Sequence, residues 1–234
     1  MVLITGASRG PGAAIACTLG AAGMRLVLAD IAIQRVQDFA AVLAERDIDA
    51  IALPLNVSDH LQCVEAIDRV AQRFGRLDAL INNTAIDITT PVADLPLAEW
   101  QRIVASNLRA PFMLSNHAVV LMSQQREGHI VSITSTTASS GWRSASARPS
   151  TPGASLGRPR CLHAQLRPQG IKVTAVEARD RPPPGLAERF NEFGTHALHD
   201  PLGVAQEVRV ALQQPPEPGV GRWEVPSTRE ATWA

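Results

Sequence analysis

Three glycines close together, in Thr5-Gly6-Ala7-Ser8-Arg9-Gly10-Pro11-Gly12, follow the apolar run Met1-Val2-Leu3-Ile4. Glycines between a strand and a helix suit phosphate binding. Gly6 allows a tight turn, and Gly10 and Gly12 let the backbone approach a pyrophosphate and let the helix lie close on the sheet. The freed N–H groups of the turn, with Ser8 and Arg9 inside it, and the positive helix end attract the phosphates. Pro11 suits a first helical position, where its missing N–H costs nothing. The same glycines also serve a tight turn for steric reasons alone. Asp30 is the second candidate, 24 residues after Gly6 and at the end of the next apolar run, Arg25–Ala29. A carboxylate there accepts from ribose hydroxyls, or caps a helix. It repels a 2′-phosphate, which favours NAD over NADP, whereas Arg9 pulls the other way.

The elements that must position these residues alternate along the chain. Short apolar runs at 2–4, 25–29, 49–53, 77–81, 128–133 and 170–176 read as strands. Segments 13–22, 35–45, 60–74, 96–116, 162–167 and 203–213 read as helices, and 222–225 as a short final strand. Strands separated by amphipathic helices predict one α/β domain over residues 1–234. Its core is a single Rossmann-like, doubly wound parallel sheet with helices on both faces. Two stretches break the pattern. Residues 142–160 hold four Arg and three Pro with little apolar content, so they are expected to be irregular. Pro182-Pro183-Pro184 falls within 178–200, the expected substrate-loop region.

Charge is balanced, 22 basic against 22 acidic residues, and aromatics are 4%, so neither a polyanion nor a base-stacking nucleic-acid partner is expected. Cys17, Cys63 and Cys161 are scattered without metal-type spacing; each reads as an inert thiol, and no metal is expected. No apolar run reaches membrane-spanning length and no secretory leader is read, so a cytoplasmic location is the expectation.

Taken in order, further stretches extend the pattern: Asn56-Val57, Asn82-Asn83-Thr84-Ala85, Trp100 with Asn107, and Gly128-His-Ile-Val-Ser-Ile-Thr-Ser135. With the opening glycines they resemble the short-chain dehydrogenase/reductase family. That resemblance implies NAD(P)-dependent hydride transfer between a secondary alcohol and a ketone, with a small-molecule substrate and a homodimer or homotetramer. It implies that Asn56 and Val57 hold the adenine, that Asn83 lies in the cofactor site, and that Ser135 and Asn107 are catalytic. Asn82-Asn83-Thr84-Ala85 departs from the family's Asn-Asn-Ala-Gly at its last two positions. On the residues alone, Ser135 has a lesser reading as a strand-end turn residue and Asn107 as a polar group on a helix.

The family's proton carrier is a Tyr four residues ahead of a Lys. This chain has no tyrosine, and its one lysine is Lys172. Family spacing counted back from Gly170 puts the Tyr position at Arg148 and the Lys position at Pro152. Arg is a poor proton shuttle and Pro has no side-chain donor. A local change of reading frame across 140–162 would account for the stretch, since Ser150–Ser155 can be encoded so that a shifted frame reads Tyr-Ala-Gly-Ser-Lys. His163 could act as an acid in principle but reads as a solvated surface residue. Two functions stay open: an oxidoreductase of this family, or a catalytically inactive dinucleotide-binding protein serving as a sensor or interaction partner.

Overall fold

Seven strands lie in the order β3-β2-β1-β4-β5-β6-β7, every neighbouring pair parallel. The computed structural model describes residues 1–86, 92–135, 162–178, 201–214 and 222–224. In chain order the elements are β1 (Val2–Thr5), α1 (Gly10–Ala21), β2 (Leu26–Asp30), α2 (Ile33–Ala44), β3 (Ala50–Pro54), α3 (His60–Phe74) and β4 (Ala79–Asn82). They continue as α4 (Leu97–Val104), a π-helical segment (Ala105–Arg109), α5 (Ala110–Gln125), β5 (Gly128–Ser135), a short helix α6 (162–166), β6 (Ile171–Ala178), α7 (Pro201–Gln213) and β7 (Arg222–Glu224). The doubly wound sheet expected from the alternation is present.

Each sheet face has its own core, because central parallel strands are covered on both sides and read as continuous apolar runs. Leu3, Leu80, Ile130 and Val173 pack with Leu114 and Met122 of α5 and Ile67 and Val70 of α3. Ile4, Ile81, Val131 and Val176 pack with Ile15 and Leu19 of α1, Val36 of α2 and Val204 and Val208 of α7. The chain reverses its winding between β1 and β4. In such sheets the crevice outside the carboxyl ends of the strands at that reversal is where ligands bind.

Two expectations change. Pro11 stands second in α1, after Gly10, rather than first; an N–H there has no intrahelical partner either, so the ring is accommodated equally well. The long helix read over 96–116 is instead α4, the π segment and α5, running on to Gln125. Pro111 explains the break: it has no N–H to give the Asn107 carbonyl four residues back, and a π turn takes up the mismatch. The Ser115 hydroxyl then donates to the Pro111 carbonyl at 2.5 Å.

Candidate dinucleotide site

The candidate residues gather at the carboxyl ends of the strands. Asp30 ends β2, Asn56 follows β3, Asn83 follows β4, Ser135 ends β5, and the glycine turn joins β1 to α1. Ser135 is in register with Ala178 at the end of β6.

The turn is shaped by what a side chain would strike. A Cβ on Gly12 would stand 2.1 Å from the Gly6 carbonyl oxygen, so the first turn of α1 lies directly on the turn backbone. Gly10 has φ +55° and open space where its Cβ would be. The result is a bare backbone cradle at the start of a helix, which fits a pyrophosphate. Arg9 is extended and exposed beside it.

Asp30 fixes the same turn from the next strand. One carboxylate oxygen accepts from the Ser8 N–H at 3.1 Å and the other from the Ala32 N–H at 3.0 Å. It therefore does not cap α2, whose N-cap is Ala32. Each oxygen keeps a further lone pair for a ribose hydroxyl.

Thr5, which sequence reasoning quoted without assigning a role, is the hub between β1 and β4. Its buried hydroxyl donates to the Ile81 carbonyl (3.3 Å) and accepts from the N–H groups of Asn83 (3.0 Å) and Thr84 (3.1 Å). That uses a hydroxyl's whole capacity of one donor and two acceptors. Asn83 completes the lock: its side-chain NH2 donates to the carbonyls of Thr5 at 2.9 Å and Gly6 at 3.1 Å. Its amide nitrogen thus braces the turn, which leaves its side-chain oxygen and backbone carbonyl to face a cofactor.

Asn56 and Val57 form the corner before α3. The Asn56 Oδ1 accepts from the Ser58 N–H and hydroxyl (3.1 and 2.7 Å), while its N–H donates to Gln62 Oε1 at 2.9 Å. Asp59 caps α3 through the N–H groups of Leu61 and Gln62. Arg109, at the end of the π segment, donates to the Ser58 carbonyl at 2.7 Å, a tie that sequence spacing gave no sign of. Cys63 donates to the Val57 carbonyl, and burial, followed by the nearby Asp59 charge, pushes its thiol up to about 11, an inert state.

Asn107 sits in the π segment, half-buried. Its Oδ1 accepts from the Ile86 N–H at 2.9 Å and its Nδ2 donates to the Ile86 carbonyl at 2.8 Å. Both ends of the amide therefore clamp the two peptide groups that flank Ile86, on the chain leaving β4. The structure thus brings Gly6, Ser8, Arg9, Gly10, Gly12, Asp30 and Asn83 together, with Asn107 holding the chain beyond Asn83.

Other candidates fall elsewhere. Lys172 lies at the amino end of β6, paired in register with His129, and its Nζ donates to the Gln214 carbonyl at 2.6 Å. It is six residues from Ala178, about 20 Å along a strand, so it is not beside the crevice. His163 is half-buried rather than solvated, and its Nδ1 accepts from the Val173 N–H at 3.4 Å. Arg148, Pro152, Cys161, the frame-change stretch and the 178–200 loop (past Ala178) lie outside the described residues. Among the described residues no metal-holding cluster is found, and no helix is long and apolar enough to cross a membrane.

Comparison with known proteins agrees with this fold. The short chain dehydrogenase family model matches residues 1–179. A short chain dehydrogenase/reductase of Colletotrichum higginsianum is 34% identical over 177 residues, covering 74% of this chain and 66% of that protein. A metagenomic short-chain oxidoreductase solved with NADP superposes with a TM-score of 0.85 at 24% identity, over 98% of both chains. A short chain dehydrogenase of Burkholderia cenocepacia solved in complex with NADP gives 0.82 at 27% identity, over 96% of this chain and 95% of that one. The chain belongs to the short-chain dehydrogenase family of NAD(P)-dependent oxidoreductases.

Proposed function

We propose that this chain, as one domain, holds a nicotinamide dinucleotide across the carboxyl ends of β1, β2 and β4 and acts on a small secondary alcohol or ketone. The observation that carries this is the cradle: a glycine turn that bears no side chain over Gly10, pinned by Asp30 on one side and by Thr5 and Asn83 on the other. When bound, the cofactor supplies the hydride acceptor or donor.

The chain's own residues bind and orient. The turn N–H groups face the pyrophosphate, and Asp30 takes the adenine-side ribose. Asn56 and Val57 border the adenine. Asn107 keeps the Ile86 peptide in place beside the reacting end. Ser135 closes β5 at the substrate side. NAD is the proposed cofactor, because a carboxylate fixed at the end of β2 repels a 2′-phosphate. Arg9 and the NADP of the Burkholderia relative argue the other way. Titration with NADH and NADPH separates the two: NADH is expected to bind at least tenfold more tightly. Equal or tighter NADPH binding overturns the preference.

A second reading is favoured by one observation. The chain has no tyrosine, and its one lysine is tied to Gln214 at the far end of β6. Dinucleotide binding without turnover follows if no other group replaces that pair. Measuring alcohol oxidation and ketone reduction on protein that demonstrably binds NADH decides between the readings. Turnover of roughly 1 per second or more supports the enzyme, and binding with no detectable turnover supports the silent binder. Absence of NADH binding at millimolar concentration overturns both.

A further inference from the structure

The family pattern that this chain follows through Asn82-Asn83 breaks at the next residue, where Thr84 stands. Its backbone is fixed: the Thr84 N–H donates to the Thr5 hydroxyl at 3.1 Å. Its side chain is aimed at the glycine turn, because a Cβ placed on Gly6 would stand 3.0 Å from Thr84 Oγ1. The residue is half-buried, and among the described residues its hydroxyl has no hydrogen-bond partner. The side-chain donors of the neighbouring Thr5 and Asn83 are both spent on backbone. One hydroxyl at the mouth of the cradle thus retains a donor, held over the first glycine of the phosphate-binding turn by a β-branched side chain with few rotamers.

We propose that the Thr84 hydroxyl is a binding group for the dinucleotide, donating a hydrogen bond to an oxygen of the ribose–diphosphate span in its ADP half. This rests on the dinucleotide reading above. A neutral hydroxyl bond to such an oxygen is worth about 0.5–1.5 kcal/mol, or roughly two- to twelvefold in affinity.

The experiment titrates NADH and ADP into wild type, Thr84→Val, Thr84→Ala and Thr84→Ser, with the melting temperature of each recorded. Val keeps the shape and removes the hydroxyl; Ala serves if Val folds poorly; Ser keeps the hydroxyl. Val and Ala are expected to weaken both ligands about three- to tenfold, while Ser stays within about twofold of wild type. A folded Val or Ala variant that binds both ligands as wild type does overturns the proposal and leaves the dinucleotide site standing. Loss confined to NADH with ADP unchanged overturns it too, because the hydroxyl would then serve the nicotinamide end. Failure of wild type to bind either ligand defeats the dinucleotide reading itself, and the Thr84 proposal with it.

Discussion

The ends of β1, β2 and β4 and the ends of β5 and β6 sit side by side in one sheet, yet they spend their polar residues differently. In the first group three polar side chains converge on the crevice: Asp30, Thr5 and Asn83 all bond to the backbone of the glycine turn or of the chain leaving β4, while Asn82 turns to Ser115 of α5. In the second group the imidazole and the ammonium lie back along the strands, and Thr134 bonds the Val176 carbonyl of the neighbouring strand rather than the turn. His129 bonds Thr174 within the sheet and Lys172 bonds Gln214 beyond its amino edge. The imidazole of β5 and the ammonium of β6 thus stand at the amino end of their strands, while the carboxyl end carries Ser135 and the buried Glu177. Residue type alone does not make a site; position along the strand does.

The sharpest way to break the comparison is at Gly12. An alanine there drives its Cβ onto the Gly6 carbonyl, so either α1 or the turn must move. Overpacking of this kind costs about 3 kcal/mol or more where the obstacle is backbone. Gly12→Ala is expected to abolish NADH binding and lower the melting temperature sharply in a thermal scan. The same substitution at Gly10, where the space is open, is expected to do less, with only its positive φ opposing it.

Next in size is Thr5→Val. The shape is kept, but the Asn83 and Thr84 N–H groups lose their acceptor beside a buried hydroxyl position. Two unsatisfied donors cost about 2–6 kcal/mol. Chemical denaturation of wild type and variant measures this, and a difference under about 1 kcal/mol would show that Asn83 alone holds the turn.

These two residues also mark what was legible beforehand. Gly6, Gly10, Gly12 and Asp30 could be read because each acts within a local strand–turn–helix unit whose spacing is fixed by covalent geometry. The helix α3 was legible from its apolar face, although its Asp59 cap emerges only in the structure. The Thr5 hub and the Asn107 clamp were not. Their partners lie 76 to 79 and 21 residues away, and only the packed sheet brings them together. The π segment left a trace in Pro111, which the apolar periodicity of the helix concealed.

Asp30 tests the cradle more gently. Asp30→Ala removes the acceptor for Ser8 and Ala32 and the proposed ribose contact, while the glycine turn keeps its own bonds to Asn83. A charged hydrogen bond is worth about 1.5–3 kcal/mol, so NADH affinity is expected to fall about tenfold or more, with NADPH falling less. A parallel fall for the two cofactors would remove Asp30 from the discrimination. Asn107→Leu is smaller again: it frees the Ile86 peptide without touching the turn. Faster hydrogen exchange at the Ile86 amide, with exchange in β1 unchanged, is the expected result.

The smallest effect at neutral pH, and the one that probes the other region, belongs to His129. Burial, followed by the positive charges of Lys172 and His163, pushes its pKa down to about 3. Its Nε2 lies 2.8 Å from the Thr174 hydroxyl, and among the described residues its buried Nδ1 has no partner. The imidazole is therefore neutral in the folded state down to strongly acid pH, whereas in the unfolded chain it takes up a proton near its ordinary 6.5. Between those values the unfolded state binds the extra proton, so its contribution to stability is complete above about pH 6.5 and drains as pH falls toward 3. The slope is at most about 1.4 kcal/mol per pH unit. His129→Gln retains an amide able to reach Thr174 but cannot titrate. It is expected to match wild type near pH 7.5 and to flatten the acid limb of stability against pH. An unchanged acid limb would mean that carboxylates, not this buried imidazole, set the acid sensitivity of the β5–β6 half.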